Sequence, residues 1–353
     1  MRLLIIGGTS FIGRHVAAEA QGAGWEVTMF NRGLTDPDAL PWAEHLRGDR
    51  ERPADLATLG GRDWDAVVDT CGFDHRVVSL SSDVLRDRVG HYTFVSSIAV
   101  YRCLSRVNVE TDATLDLDGD EDHAGERPYG GSTLYGPMKA RCEQVISHAF
   151  PGRWLAVRPT SVAGPLDRGA SNRRTGYWAA RVRDYDEILV PRPRDRPVSY
   201  IDVRDMAAWI VRQSQSGVTG PFNLAAPSLT IDEFLETTRA VYETKAKVVW
   251  ADPDWLVDQG VTPNVELPWW VPGERNLFAI DAGKAMAHGL TIRPITETIR
   301  DSADWEDIRP EGYAPQSPLA GQGRGALMSR ARELELLARW RARVGAGASA
   351  GTS

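Results

Sequence analysis

The sequence predicts an α/β fold, a doubly wound parallel sheet followed by a smaller C-terminal α/β domain. Two observations predict this fold. Short apolar runs alternate with helix-like segments through the first half of the chain, and a glycine-rich turn follows the first apolar run. Alternation of this kind places helices on both faces of a parallel sheet.

The alternation defines the predicted elements. Short continuous apolar runs are typical of strands buried on both faces, and apolar residues at helical spacing lie between them. Strands are predicted at 3–6, 25–30, 64–69, 92–96 and 154–158. Helices are predicted at 11–23, 77–88, 135–150, 232–242 and 295–305.

Composition and charge limit the classes of partner. The chain has 353 residues, with 41 lysines and arginines against 48 aspartates and glutamates, a net charge of −7. This balance gives no general attraction to nucleic acid or to anionic membranes, and the chain lacks an apolar run of the roughly eighteen residues that a membrane span needs. We therefore expect a small-molecule substrate, no nucleic-acid or membrane partner, and a monomer or homodimer.

Three cysteines are spread widely along the chain. This odd and sparse set argues against a disulfide framework and against a structural zinc site. We expect reduced thiols, a cytoplasmic protein and no bound metal.

The glycine-rich turn lies between the first predicted strand and the first predicted helix. Glycine permits a tight turn and close approach of a pyrophosphate, while the helix N-terminus offers unpaired N–H groups and a positive dipole end. Strand, turn, helix and second strand follow with the spacing of a Rossmann-type dinucleotide site. The residues expected to contact the cofactor here are Gly7, Thr9, Ser10, Phe11, Ile12 and Gly13.

The end of the second predicted strand indicates which nicotinamide cofactor binds. An acid at this point binds the adenosine ribose, whereas an arginine accepts the additional phosphate of NADP. The chain has Asn31 and Arg32 there, so we expect NADP(H), with NAD as the alternative. Asp49 is expected to bind the adenine amine. Further cofactor contacts are expected at Arg50, Thr70, Cys71 and Gly72.

The predicted domains follow from this site. We assign 1–160 to a Rossmann dinucleotide-binding domain whose sheet is completed by later segments, and 161–320 mainly to a substrate-binding domain. Amphipathic spacing predicts a C-terminal helix at 327–343. The small polar residues of 345–353 predict a disordered tail.

Two further motifs carry the candidate chemistry. Tyr135 and Lys139 are four residues apart, which places both on one face of a helix. Pro137 fits the first helical turn, so Tyr135 is expected where the helix begins. A predicted strand ends in Ser96 and Ser97, at the carboxyl edge where ligands bind in open α/β sheets.

These residue types suit hydride transfer to a carbonyl. Reduction of a carbonyl leaves an alkoxide that needs a proton, and a tyrosine hydroxyl can donate one. A lysine ammonium and an oxidised nicotinamide nearby favour the tyrosine phenolate that remains. A serine hydroxyl can hold the carbonyl oxygen. We predict Ser97, Tyr135 and Lys139 as catalytic residues, with Tyr135 as general acid and base and Lys139 also binding the nicotinamide ribose.

Five motifs together resemble the extended or atypical short-chain dehydrogenase/reductase superfamily, in its NAD-dependent epimerase/dehydratase family. The resemblance extends from residue 1 to about residue 305 and implies that Ser97, Tyr135 and Lys139 are the catalytic residues. It also implies nicotinamide contacts at Pro159, Ser161 and Val162. The motifs are GGTSFIG at 7–13, FVSSIAVY at 94–101, YGPMK at 135–139, RPTSVAGP at 158–165 and YIDVRDMA at 200–207.

The chain departs from the family pattern at several positions. Ser10 replaces the middle glycine of the turn, which bears on cofactor affinity. Ser161 replaces an asparagine, and Val198 an arginine, that hold the pyrophosphate of nucleotide sugars, so a non-nucleotide substrate is favoured. Ile98 and Ala99 replace the acidic pair of dehydratases, which argues against 4,6-dehydration.

Aromatic and basic residues of the second half are candidates for the substrate side. An arginine could bind an anionic group, and the aromatics could form a wall beside the substrate; core packing is the alternative for the aromatics. The candidate substrate contacts are Ser97, Arg168, Tyr177, Trp178, Tyr200 and Trp269.

Three functions follow from these residues. The first is an NAD(P)-dependent oxidoreductase that transfers hydride between NADP(H) and a carbonyl or alcohol of a small non-nucleotide metabolite. The alternative is a redox-neutral epimerase of a sugar or sugar-like substrate with tightly bound NAD(P). The third is a binding or sensor protein, and the GGTxFIG form also resembles chloroplast stem-loop RNA-binding proteins. The net charge and the intact catalytic residues favour an enzyme.

Overall fold

The computed structural model describes residues 1–103, 106–117, 134–167, 173–274, 276, 279–310 and 327–350. The chain divides into two compact units. Unit one comprises Met1–Val162, Ser199–Pro227 and Ile280–Arg293. Unit two comprises Ala163–Val198, Ser228–Ala279 and Pro294–Ser353. Unit one therefore combines the predicted 1–160 segment with two segments from the second half of the chain.

A seven-stranded sheet forms the centre of unit one. Its strands are β1 (Arg2–Ile6), β2 (Glu26–Asn31), β3 (Glu44–Arg47), β4 (Trp64–Asp69), β5 (Val89–Val95), β6 (Trp154–Pro159) and β11 (Gly220–Leu224). The strand order is β11-β6-β5-β4-β1-β2-β3, and all neighbouring strands are parallel. The order reverses beside β1, as in a Rossmann-type doubly wound sheet. The predicted fold class is confirmed. A separate strand pair joins β7 (Ser161–Ala163) and β10 (Tyr200–Asp202).

Helices cover both faces of this sheet because both faces of its strands are apolar. Leu3 and Ile5 of β1 pack in one buried cluster with helices α1 (Phe11–Gly22) and α6 (Val203–Ser216). Leu4 and Ile6 pack in another with α3 (His75–Leu85) and α4 (Tyr135–Ala149). The predicted elements of 1–160 are present with ends that differ by at most three residues. The helices of unit one are α1 (Phe11–Gly22), α2 (Pro53–Leu56), α3 (His75–Leu85), α4 (Tyr135–Ala149), α6 (Val203–Ser216) and α9 (Gly283–Ala287).

Unit two consists of helices with two short strand pairs. β8 (Glu187–Pro191) pairs in parallel with β13 (Lys247–Ala251), and β9 (Pro197–Val198) pairs antiparallel with β12 (Leu229–Thr230). Its helices are α5 (Arg174–Asp184), α7 (Ile231–Tyr242), α8 (Pro253–Asp258), α10 (Ile295–Ile308) and α11 (Arg330–Ala350). Helix α5 packs against both α7 and α10. Among the helices in the described ranges, none combines the length and the apolar composition that crossing a membrane requires.

The C-terminal helix differs from the prediction. Helix α11 begins at Arg330, three residues later than expected, and continues to Ala350. The disordered tail that we expected at 345–353 is therefore wrong for 345–350. The segment alternates alanine, which has the highest helix propensity, with Gly345, Gly347 and Ser349, which have lower propensities. Residues 351–353 lie outside the described residues.

A buried ion pair joins the loop after β3 to the end of β4. Arg50 Nη1 and Nη2 donate to the two carboxylate oxygens of Asp69, each at 2.8 Å, and Nη2 also donates to Ser81 Oγ at 2.9 Å. Tyr92 Oη donates to Asp69 Oδ2 at 3.0 Å. Burial raises the pKa of Asp69, but the charge and hydrogen bonds of Arg50 outweigh burial and hold it below its usual value.

The ion pair predicts a large effect of neutralising the acid. Asp69→Asn leaves the Arg50 guanidinium buried without its counter-charge, so we expect a loss of about 3–5 kcal/mol in the free energy of unfolding. Denaturant titration followed by circular dichroism measures this loss. Because the folded pKa of Asp69 is lowered, the pair's contribution is complete above the unfolded pKa and is lost as pH falls through the folded pKa. The gap between wild type and variant should therefore shrink in acid.

An exposed pair on α3 provides the control. Asp83 and Arg86 have side chains that are 59% and 53% exposed, and their carboxylate and guanidinium lie 2.7 Å apart. Asp83→Asn should cost less than about 1 kcal/mol, because solvent screens such pairs. Similar losses for the two substitutions would contradict the role given to Asp69.

Candidate active site

Ser97 lies two residues after the carboxyl end of β5. It is the N-cap residue of a short 3₁₀ helix, Ile98–Val100, and its Oγ accepts a hydrogen bond from Ala99 N at 3.2 Å. The hydroxyl hydrogen remains able to donate in another direction, because this contact uses an oxygen lone pair. Ser97 thus places a hydroxyl donor at the edge of the sheet where ligands bind in this fold.

Lys139 reaches the same end of β5 from the first turns of α4. Its side chain is almost fully buried, and Nζ donates to Val95 O at 2.8 Å. The ammonium also lies 4.6 Å from the ring centroid of Phe73 and 4.7 Å from that of Phe94, within cation–π range. Since an ammonium has three N–H donors, two remain for other partners.

Gly136 lets the start of α4 lie close to the chain that follows Ser97. Helix α4 begins at Tyr135, and a Cβ on Gly136 would overlap the carbonyl oxygen of Ala99. The absence of a side chain therefore lets the first turn of α4 lie against the 3₁₀ helix that follows Ser97. Helix α4 contacts the chain two residues before Ser97 through Lys139 and two residues after it through Gly136. The structure thus brings the three predicted catalytic residues to one edge of the sheet.

The glycine turn after β1 is tightly packed. Gly7 and Gly8 have positive φ angles of 94° and 89°, which glycine adopts readily. A Cβ on Gly13 would overlap the Cα of Gly8, so the turn and the start of α1 are in backbone contact. Helix α1 begins at Phe11 after the N-cap residue Ser10. The N–H groups of its first turn can therefore bind an anion.

Thr70, Cys71 and Gly72 form one side of this turn. A Cβ on Gly7 would lie 2.8 Å from Thr70 Oγ1 and 3.1 Å from Cys71 Sγ, while Thr70 Oγ1 donates to Ile6 O at 3.1 Å. Gly72 is also required for packing, because a Cβ there would meet the Phe94 ring at 2.5 Å. All three residues follow β4, and Thr70 and Cys71 lie beside the turn.

Asn31 connects the glycine turn to the loop after β2. Its Nδ2 donates to Gly7 O at 3.2 Å, and its Oδ1 accepts from Gly33 N at 2.9 Å and from Arg47 Nη1 at 2.5 Å. Arg47 was missed by sequence reasoning. The register of β2 and β3 pairs Asn31 with Arg47, so two arginines, Arg47 and the exposed Arg32, flank the end of β2.

The loop after β2 also contains acids, and one of them is already paired. Arg14 Nη1 donates to Asp36 Oδ2 at 2.8 Å. Asp49 lies in the loop after β3, where its Oδ1 accepts from Glu51 N at 3.0 Å and its backbone N–H donates to Asp55 Oδ2 at 2.8 Å. The end of β2 therefore has arginine donors for an anion, and the charge of the Asp36 carboxylate is paired with that of Arg14.

Arg50 differs from its predicted role. Its guanidinium is hydrogen-bonded to Asp69 and Ser81 and lies 3.3 Å from Cys71 Sγ. The side chain therefore links the end of β4 to α3, and its donors face these protein groups. The sequence could not distinguish this arginine from Arg32, because both follow a predicted strand and only one has a buried acid opposite.

The predicted nicotinamide segment is at the expected edge. Pro159 ends β6, which is the parallel neighbour of β5, and Ser161 and Val162 follow in β7. Thr160 N donates to Leu224 O at 3.1 Å, which holds this segment against the next strand. Parallel strands end at one edge, so this segment and Ser97 lie at the same edge of the sheet.

The predicted substrate aromatics are buried. Tyr177, Trp178, Tyr200 and Trp269 are at most 3% exposed, which is the core-packing alternative. Trp178 Nε1 donates to Pro268 O at 3.3 Å, and its ring meets that of Tyr177 edge to face. Arg168 lies outside the described residues. In the described part of the chain, no three His, Cys, Asp or Glu side chains are grouped to hold a metal.

A cavity of about 370 Å³ lies at the opposite edge of the sheet. Its lining includes Arg2, Glu26, Glu44 and Trp64, which stand at the starts of four parallel strands. The candidate catalytic residues lie at the carboxyl ends of the strands, so this cavity is separate from them.

Comparison with known proteins agrees with this arrangement. The sequence profile of the "NAD dependent epimerase/dehydratase family" matches residues 3–225. The structure is similar to UDP-glucose 4-epimerase of Thermus thermophilus in complex with NAD, at 20% identity and a TM-score of 0.62, covering 88% of this chain and 100% of that one. It is also similar to UDP-N-acetylglucosamine 4-epimerase of Bacillus cereus, at 16% identity and a TM-score of 0.64, covering 88% and 98%.

A curated mouse protein described as Fas-activated serine/threonine kinase is 29% identical over 93 residues, which is 26% of this chain and 16% of the mouse protein. A match that short carries no functional argument. The family profile, in contrast, spans the glycine turn, the end of β5 and the start of α4. The chain belongs to the NAD dependent epimerase/dehydratase family.

Proposed function

We propose that this protein is an NAD(P)-dependent oxidoreductase that transfers hydride between NADP(H) and a carbonyl or alcohol of a small non-nucleotide metabolite. One observation carries the proposal. The first turns of α4 contact the chain on both sides of Ser97, through Gly136 against Ala99 and through Lys139 to Val95 O. A hydroxyl, a phenol and an ammonium at one sheet edge suit proton transfer to a developing alkoxide.

The residues present fit a dinucleotide. The N–H groups at the start of α1, and the glycine turn that packs closely against it, suit a pyrophosphate. Arg32 and Arg47 would bind the 2′-phosphate, Asp49 the adenine, and Pro159, Ser161 and Val162 the nicotinamide side. The cofactor, when bound, supplies or accepts the hydride.

The chain's own residues handle the proton. Ser97 Oγ–H donates to the substrate oxygen and holds it in place. Tyr135 gives a proton to the alkoxide, or takes one from an alcohol in the reverse direction. Lys139, anchored by Val95 O, places a positive charge at the same sheet edge, and its remaining N–H donors would bind ribose hydroxyls.

Arg196 supports a non-nucleotide substrate. The family position that holds a sugar-nucleotide pyrophosphate is Val198 here, and Arg196 is the nearest arginine in sequence. Its Nε donates to Trp269 O at 2.9 Å, and its Nη1 donates to the carbonyl oxygens of Pro191 and Pro193. Burial lowers the pKa of Arg196 to about 9, as expected for a guanidinium held by carbonyls without an acid. Arg196 therefore holds together the backbone of 191–196 and that of Trp269.

A redox-neutral epimerase with tightly bound NAD(P) is the second candidate. It is favoured by the similarity to two sugar-nucleotide 4-epimerases, one of them in complex with NAD. The two candidates differ in cofactor turnover. Incubation with NADPH and a panel of small aldehydes and ketones, followed at 340 nm, should show stoichiometric NADPH consumption. Interconversion of sugar epimers without net cofactor change would support the epimerase instead.

Removal of the phenol oxygen tests the catalytic assignment. Tyr135→Phe deletes the proton donor, so we expect kcat to fall by about 10²–10⁴-fold, the usual contribution of a general acid. NADPH affinity, measured by calorimetry, should change little. Tyr185→Phe, in which the altered tyrosine follows α5 in unit two, is the control. Retention of wild-type kcat by Tyr135→Phe would exclude this mechanism.

Cofactor choice depends on the arginines beside Asn31. Arg32→Ala and Arg47→Ala should each weaken NADPH binding by at least about tenfold, or about 1.4 kcal/mol, and leave NADH binding nearly unchanged. Isothermal titration calorimetry with both cofactors measures the difference. Arg86→Ala, at the end of α3, should alter neither. Equal losses for the two cofactors would remove the NADP assignment.

A further inference from the structure

A buried polar cluster lies directly behind Ser97, and the function proposed above does not use it. Its members are at most 6% exposed, and they come from four elements that meet at the carboxyl edge of the sheet. Charged groups are costly to bury unless hydrogen bonds satisfy them. The cluster consists of Ser96, Tyr101, Glu143, Arg158 and Asn223.

Glu143 is at the centre of this cluster. Its Oε1 accepts hydrogen bonds from Ser96 Oγ at 2.5 Å and from Arg158 Nε at 3.0 Å, and its Oε2 accepts from Arg158 Nη2 at 2.6 Å. The two bonds from Arg158 form a bidentate pair, which fixes the direction as well as the distance. One carboxylate on α4 is thereby bonded to the ends of both β5 and β6.

Arg158 extends the connection to β11. Its Nη1 donates to Tyr101 Oη at 3.0 Å, and Tyr101 Oη donates to Asn223 Oδ1 at 2.6 Å. Asn223 Nδ2 donates in turn to Asp281 O at 3.0 Å. The orientation of Glu143 is therefore set by a chain of hydrogen bonds across neighbouring strands.

The spacing along α4 links Glu143 to the candidate catalytic residues. Tyr135, Lys139 and Glu143 succeed one another at intervals of four residues, on one face of the helix. The contact of Lys139 is with a backbone carbonyl, and the contact of Gly136 depends on shape. Glu143 adds a charged, directional bond to the residue just before Ser97.

We propose that Glu143, oriented by Arg158, is a positioning residue for the reaction. By binding Ser96 it holds α4 in one register on the end of β5, and so sets the distance between the Tyr135 hydroxyl and Ser97. The inference rests on the proposed function, since it concerns the same reacting groups. Removing both charges of a buried ion pair is often tolerated by the fold, so a variant that lacks both can separate positioning from folding.

Two buried serines next to β5 test the proposal: Ser96, which follows the strand, and Ser214, which lies on α6. Ser96→Ala removes the hydroxyl bonded to Glu143 and leaves the ion pair. Ser214→Ala removes a hydroxyl of α6 that lies 3.0 Å from Thr93 Oγ1 in β5. With NADPH and the best carbonyl of the panel, Ser96→Ala should lower kcat by about tenfold or more, with NADPH Kd changed less than about twofold. Ser214→Ala should retain both values.

A double variant separates positioning from folding. Glu143→Leu combined with Arg158→Met removes both charges at similar volume, so no charge is left buried without its partner, and the loss of stability should be limited to about 1–3 kcal/mol for each hydroxyl, of Ser96 and Tyr101, that loses a partner. Its kcat should fall by about tenfold or more, as for Ser96→Ala. If both variants keep kcat within about twofold of the wild type, Glu143 has no positioning role.

Hydrogen–deuterium exchange provides a readout that needs no turnover. In Ser96→Ala and in the double variant, amides of 96–101 and 135–139 should exchange at least about tenfold faster, with the remaining amides unchanged. Ser214→Ala should leave both segments as in the wild type. Unchanged exchange in the first two variants overturns the positioning role even in an active enzyme. Absence of NADPH-dependent activity in the wild type would contradict the proposed oxidoreductase. In that case the hydrogen–deuterium exchange rates still decide whether Glu143 positions α4 on the end of β5.

Discussion

The candidate site depends on the contact between α4 and the carboxyl end of β5. Gly136 lies against Ala99, Lys139 donates to Val95 O and Glu143 accepts from Ser96. These three contacts involve one helix face and five consecutive residues of the chain. A helix that shifted by one residue would lose all three, because side chains recur on a face only at intervals of three or four.

The other end of the candidate cofactor site has a comparable constraint. The glycine turn is packed against α1 through Gly13, bordered by Thr70, and tied to the loop after β2 by Asn31. Asn31 occupies the position at which an acid would bind a ribose, and it instead holds Arg47. Our NADP proposal therefore rests on the uncharged Asn31, which holds the guanidinium of Arg47 at the end of β2. The Thermus thermophilus epimerase of similar fold is in complex with NAD. The proposed preference for NADP would therefore distinguish this protein from it.

Sequence reasoning was most accurate where a signal is local. Strand 64–69 and the start of α4 at Tyr135 were predicted from an apolar run and from Pro137, because burial and proline geometry act within one element. It was least decisive for isolated side chains. Trp178 is in the core, which was one of the two readings given for the aromatics, and Arg50 is a buried partner of Asp69. Asp69 is nineteen residues away in sequence, so no local pattern identifies it as the partner of Arg50.

The sequence by itself determined the alternation of strands and helices, the glycine turn and the four-residue spacing of Tyr135 and Lys139, because these patterns repeat the geometry of single elements. Tertiary structure decided which charges are buried together, Arg50 with Asp69 and Glu143 with Arg158. It also decided that 199–227 and 280–293 return to unit one. Such pairings depend on the distance between groups brought close only when the sheet assembles, and hydrogen-bond energy falls steeply with that distance.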